Sequence, residues 1–183
     1  MNQKESVSLK GVYTITKAKL VSPYHFALND EIVERRKNGQ EYMSLVRHLH
    51  KICQTEVIKV ENIIPTVGRQ MLANQLTDTT PTDVPYVNKA VLGTGTNTPA
   101  NADTTLQTET YRNDVASRTN SANIAYITAF FSATETSGTF REAGLFCNGT
   151  GTVNTGVLLS RVAINITKTT SESLTIDWTL TIT

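Results

Sequence analysis

Ser173-Leu174-Thr175-Ile176-Asp177-Trp178-Thr179-Leu180-Thr181-Ile182-Thr183 puts Leu174, Ile176, Trp178, Leu180 and Ile182 on one face of an extended chain and Thr175, Asp177, Thr179, Thr181 and Thr183 on the other. A period of two sustained over this length predicts an antiparallel strand with one face buried and one wet. Working back from it, Tyr86–Leu92, Leu106–Ser117, Asn123–Ala133, Gly138–Cys147 and Gly156–Thr167 read as further strands. Turn clusters separate them: Gly93–Pro99, Thr119–Ser121, Glu135–Gly138, Asn148–Gly151 and Lys168–Ser171. Six strands at this spacing, joined by one or two from the first part of the chain, predict a mainly β fold, an antiparallel β-sandwich.

The rest of the chain supplies those extra strands and a few helices. Gly11–Val21 alternates Val12, Thr14 and Thr16 against Tyr13 and Ile15, as a strand does, and Glu56–Ile64 is a second β-branched run, closed by Pro65. Asn29–Gln40 is polar, holds Glu34-Arg35-Arg36-Lys37 and ends in Asn38-Gly39, so it reads as an exposed loop or arm. Tyr42, Leu45, Val46, Leu49 and Ile52 recur at helical spacing and predict a short amphipathic helix over 41–52. Residues 66–76 predict another, capped by Thr66, with Val67, Met71, Leu72 and Leu76 as its stripe, broken by Asp78–Pro85. The expected organisation is a strand segment over 1–21, an exposed arm with a short helix over 22–55, and a β-sandwich domain over 56–183. Tyr126, Phe130, Phe131, Phe140 and Phe146 are expected to fill its core with Trp178.

Composition narrows the function classes. Of 183 residues, 39% are apolar and 18% charged, against roughly 25% charged in an average globular chain, and the net charge is +1. A balance so near neutral supplies no field for gripping nucleic acid. Residues 1–70 hold 11 Lys and Arg against 7 Asp and Glu, and residues 71–183 hold 6 against 9. Such a split favours head-to-tail docking of copies only at short range, because salt screens it within about 8 Å. Thr rises from 8 in residues 1–90 to 22 in residues 91–183, which lets the solvent face of a strand stay polar without charge. Cys53 and Cys147 lie far apart and form no metal or redox motif, so a reduced cytosolic assembly is the expectation. Met1–Ser8 lacks the apolar core of a signal peptide, and no window reaches the length of a membrane span.

No chemical motif stands out. Gly93-Thr94-Gly95-Thr96 follows a strand but lacks the third glycine and the Gly-Lys-Thr ending of nucleotide loops, and Asn97-Thr98-Pro99 blocks the helix that a phosphate site needs. His48 and His50 would point about 200° apart on a helix, which spoils a zinc set with Cys53. No nucleophile elbow occurs, all three His precede residue 51, and nothing in the spacing pairs Asp103, Glu109, Glu135 and Glu142 as glycosidase carboxylates. The expectation is therefore no enzyme, no cofactor and no metal. Arg112, Arg118, Arg141 and Arg161 carry nearly all the positive charge of the β half, with Glu109, Asp114, Glu135 and Glu142 as available partners in bidentate pairs. Together with Arg35, Arg36, Lys37 and Tyr42 of the arm, Arg112, Arg118, Arg141, Glu142 and Arg161 are the interface candidates.

A family resemblance adds a direction. Asn62-Ile63-Ile64-Pro65-Thr66-Val67-Gly68-Arg69, then Ala90 to Ala100 through Gly93-Thr94-Gly95-Thr96-Asn97-Thr98-Pro99, then Asp103 to Glu109, then Arg141-Glu142-Ala143-Gly144-Leu145-Phe146, then Leu158-Leu159-Ser160-Arg161-Val162, occur in an order that resembles small structural proteins of tailed bacteriophages, over about residues 56–183. The resemblance implies a virion component of the tail, baseplate or neck, assembled in the bacterial cytoplasm. Its partners would be other virion proteins and further copies of itself, with no nucleic acid and no membrane. A capsid decoration protein and a receptor- or carbohydrate-binding module are the alternatives. The stretch 22–52 is longer than that pattern calls for and is expected to be an attachment arm.

Overall fold

The computed structural model describes residues 8–78 and 82–183. Part of the polar start and part of the break after the second expected helix lie outside the described residues. The chain runs β1 (Leu9–Lys19), α1 (Pro23–Lys37), α2 (Met43–Ile52), β2 (Gln54–Glu61), α3 (Thr66–Thr77), β3 (Val87–Gly93), β4 (Glu109–Ser121), β5 (Ile124–Phe131), β6 (Gly138–Cys147), β7 (Val157–Lys168) and β8 (Glu172–Ile182). No helix among the described residues is long and apolar enough to cross a membrane.

The fold is mainly β and antiparallel, as the alternation predicts. Eight strands form one sheet in the order β2-β1-β8-β5-β4-β3-β6-β7. Strand β4 is where the sheet bends: Glu109–Asp114 pair with β3, whereas Val115–Ser121 pair with β5. On the opposite side the two edge strands come together. Ile63, just past β2, exchanges two backbone hydrogen bonds of 3.1 Å with Arg161 of β7, so the sheet is nearly closed. Its interior is filled from both halves, with Ile15 opposite Ile176 and Tyr13 opposite Trp178 on β1 and β8, and Ala90, Leu92, Ala143, Leu145 and Val162 supplied by β3, β6 and β7.

A small polar set sits inside this apolar core. Trp178 Nε1 donates to Asn62 Oδ1 at 3.0 Å, Asn62 Nδ2 donates to Ser160 Oγ at 2.5 Å, and Tyr13 Oη donates to the same oxygen at 3.1 Å. Trp178, Asn62 and Tyr13 each therefore find an acceptor for the polar group they bring inside, which is the condition for keeping such groups there. Gly11 is part of the fit, since a Cβ at that position would run into Asn62 and Trp178.

The reading of 29–40 as an exposed loop is corrected, whereas the short helix expected over 41–52 is present as α2. Residues 23–37 form helix α1, started by the Ser22 hydroxyl accepting from His25 N–H and by Pro23 at the first turn, and closed before Gly39, whose φ of +64° needs no Cβ. Leu28 and Ile32 of α1 pack with Tyr42, Val46 and Leu49 onto Ala18, Leu20 and Phe130 on the outer face of the sheet. The helix looked like a loop because its inward stripe is narrow and includes a polar member: buried Asn29 accepts a hydrogen bond from the Ala133 N–H. This second layer also corrects the wet face of β8. Ser173 and Thr175 are buried, and the Thr175 hydroxyl lies 2.9 Å from His50 Nε2 of α2.

Two smaller differences have local causes. Thr66 lies inside α3 and caps nothing; Pro65 holds the N-cap position, and Thr66 N–H donates to the Asn101 carbonyl instead. The aromatic set divides among environments: Phe131, Phe140 and Trp178 fill the interior, Phe130 lies beneath α1 and α2, Phe146 joins Val91, Leu106 and Leu158 on the outer face, and Tyr126 is exposed. Both cysteines are buried and free, and burial pushes the Cys147 thiol up to about 12.

Candidate functional site

Strands β6 and β7 each turn one charged side chain toward the loop that joins β3 to β4, and this loop folds back over them. Glu142 and Arg161 are each 1% exposed. The Arg161 guanidinium reaches Glu142 Oε2 through Nη2 at 2.7 Å and Nε at 3.1 Å, Asp103 Oδ2 through Nη1 at 2.5 Å, and Asn97 Oδ1 through Nη2. The Glu142 carboxylate in turn accepts from the backbone N–H groups of Gly95 at 3.0 Å, Gln107 at 3.0 Å and Thr108 at 2.7 Å. Gln107 Oε1 accepts from Thr96 and Asn97, both at 2.8 Å, and Asp103 accepts from Ala100 N–H at 2.7 Å.

The glycine-rich loop thereby has a physical explanation. Its converging backbone N–H groups form an anion-binding concavity, and the anion in it is the chain's own Glu142 carboxylate. A Cβ at Gly93 would lie 2.5 Å from the Thr108 carbonyl and 2.7 Å from Glu142 Oε1, and one at Gly95 would strike the same carboxylate. Both glycines are required by this close approach. Buried charges are tolerated when paired and fully hydrogen-bonded, and this set meets that condition.

Two further charge sets tie loops to the sheet. Arg112 and Glu109 form a bidentate pair of 2.5 and 2.7 Å, with Glu109 also accepting from Asn154 N–H and Arg112 donating to the carbonyls of Thr150 and Thr155, so the β6–β7 hairpin loop is held against β4. Arg112 also lies 5.3 Å from the centre of the Phe146 ring. Arg36 of α1 pairs with Glu135 and donates to the Phe130 carbonyl, which pins the helix layer to the β5–β6 loop.

Lys168, 1% exposed, donates to the carbonyls of Thr136 at 2.5 Å, Ala133 at 3.1 Å and Thr169 at 3.3 Å. Burial lowers its pKa to about 8, against a partial opposing pull from Glu135 and Glu172. In the unfolded chain the same group titrates near 10.5, so between about pH 8 and 10.5 the unfolded state binds more protons and Lys168 makes stability rise with pH. The expected result is that wild-type stability relative to Lys168→Met increases from pH 8 to 10, by at most about 1.4 kcal/mol per pH unit. Urea unfolding of both proteins at several pH values measures this, and a flat difference would contradict it.

The interface candidates separate by location. Glu142, Arg161 and Tyr42 are buried, and Arg112 is spent inside the chain, so the expected bidentate pairing occurs within one copy. Arg35 pairs with Glu31 and Lys37 with Glu34 on the exposed side of α1; Arg141 is exposed; Arg118 stacks 4.2 Å over the exposed Tyr86 ring. Sequence reasoning did not single out Asn97, Gln107, Asn62 or Lys168. Asn97 and Asn62 take their meaning from Arg161 and Trp178, 64 and 116 positions away, Lys168 from the carbonyls of Ala133 and Thr136, 35 and 32 positions away, and Gln107 from the backbone of its own loop. His48 and His50 face Tyr24 and Thr175 respectively, and no group of three His, Cys, Asp or Glu among the described residues is placed to hold a metal ion. Comparison with family models, with characterised proteins and with solved structures finds no match for this chain.

Proposed function

We propose that the chain is a structural subunit of a tailed-bacteriophage particle, a tail, baseplate or neck component present in several copies and contacting other virion proteins. In this reading the nearly closed sheet is a β-sandwich that serves as a rigid block, and its function is geometric. One observation supports it above the rest: the separate short stretches that carry the resemblance are brought together in space. Ile63, Gly93–Asn97, Asp103–Thr108, Glu142 and Arg161 all meet in the buried charge set that closes the sheet. Residues from several of these stretches jointly build one staple, which supports reading the stretches as parts of a single structural unit. The surface of the staple loop is also suited to packing many copies, because Thr94, Thr96, Thr98, Thr104 and Thr108 expose polar but uncharged groups that avoid self-repulsion.

Immunogold labelling of intact particles with an antibody to this chain tests the proposal. Label at the tail or its attachment end is expected. Label on the capsid surface would reassign the protein to decoration, and particles that never carry label would overturn the virion role.

A further inference from the structure

At one end of the sheet, between α3, β5 and β8, the surface carries an open mouth of about 400 Å3 whose floor is the buried Ile127, Trp178 and Leu180. We infer that this mouth binds a small amphipathic anion, a molecule with an apolar body and one acidic head. The inference does not depend on the virion role. Small-ligand sites are concave and mostly apolar, carry a few placed polar groups, occupy about 300–1,000 Å3, and recur in the mouths of β-barrels. The walls here are Leu72 of α3, Ile127 of β5, and Trp178 and Leu180 of β8, all turned inward.

The polar element is Arg118, at the rim. Its guanidinium lies over the Tyr86 ring, donates through Nη1 to the Val87 carbonyl at 3.1 Å, and donates through Nη2 to Tyr86 Oη. Arg36, Arg112 and Arg161 each meet a carboxylate of the chain, whereas the partners of Arg118 among the described residues are neutral. Among the described residues two of its five N–H donors are engaged, so an exposed positive charge with further donors borders the apolar mouth. A carboxylate on a short apolar body satisfies both parts at once, and the modest volume calls for a body near the size of decanoate.

The test uses the chain's single tryptophan, which lines the cavity. Intrinsic fluorescence of the full chain is titrated with decanoate and with decanol, its uncharged counterpart, for wild type, Arg118→Gln and Ala125→Phe, with circular dichroism checking that each variant folds. Ala125 also lines the cavity, so the larger ring fills it. Saturable change with decanoate is expected in wild type. Arg118→Gln should weaken decanoate about tenfold, the order of one lost charge-assisted hydrogen bond, while leaving decanol unchanged, and Ala125→Phe should abolish both responses. The inference is overturned if Trp178 emission does not respond, if folded Ala125→Phe binds like wild type, or if Arg118→Gln affects both probes equally. Emission that changes with protein concentration alone would show a second copy seated in the mouth and would equally overturn it.

Discussion

Arg161→Met is expected to lower the stability of the chain by about 3–5 kcal/mol, the range for breaking a buried pair and leaving one charge unpartnered. The argument rests on what remains afterwards. Methionine fills most of the volume, but the Glu142 carboxylate keeps only its three backbone donors, and Asp103 and Asn97 lose the guanidinium that gathers them. Adding Glu142→Gln to Arg161→Met should recover part of the loss, because the amide oxygen still accepts from the loop without carrying an unpaired charge. Urea unfolding followed by Trp178 emission gives both numbers. A loss below about 1 kcal/mol, the level of an exposed ion pair, would show that the loop does not depend on this arginine.

Trp178→Ala should cost about 3–5 kcal/mol, as for other large-to-small changes at fully buried aromatic positions. Trp178 is 1% exposed, packs between Tyr13 of β1 and Ile127 of β5, and satisfies Asn62 through its indole N–H. Trp178→Phe separates the two contributions: the ring volume is largely kept while Asn62 Oδ1 loses its donor, for a smaller expected cost of about 1–3 kcal/mol. Chemical denaturation monitored by circular dichroism suits both variants. Equal costs for Ala and Phe would assign the whole effect to the hydrogen bond rather than to packing.

Strands were legible where turn clusters bound them, as for β6, or where one residue in two is apolar, as for β8, because both signals depend only on neighbours along the chain. β6 occupies Gly138–Cys147, the range its sequence predicts, and β8 differs by one residue at each end. Helix α1 was not legible: Leu28 and Ile32 alone make a weak stripe, and the burial of Asn29 is explained only by Ala133, 104 positions away. The staple was half legible. Its arginine and glutamate stood out as sparse charges in a Thr-rich sheet, but spacing along the chain cannot show that Arg161 meets Asp103 and Asn97, 58 and 64 positions earlier. For the same reason the glycines of the 93–96 loop announced a tight turn without revealing that a carboxylate from another strand needed the space.

The pairing of β1 with β8 has a consequence for how the molecule comes to be made. The ribosome releases β1 and β2 long before β8, yet β8 is the strand that joins the β1–β2 ribbon to the rest of the sheet. Until then β1 offers an unpaired edge and Tyr13 and Ile15 have no interior to enter. Such remote pairing places the protein among slow folders, on the millisecond-to-second scale of all-β domains, and exposes it to sticky intermediates during synthesis. Helices α1 and α2, whose mutual contacts are local, can form early and shield one side of β1 during that wait.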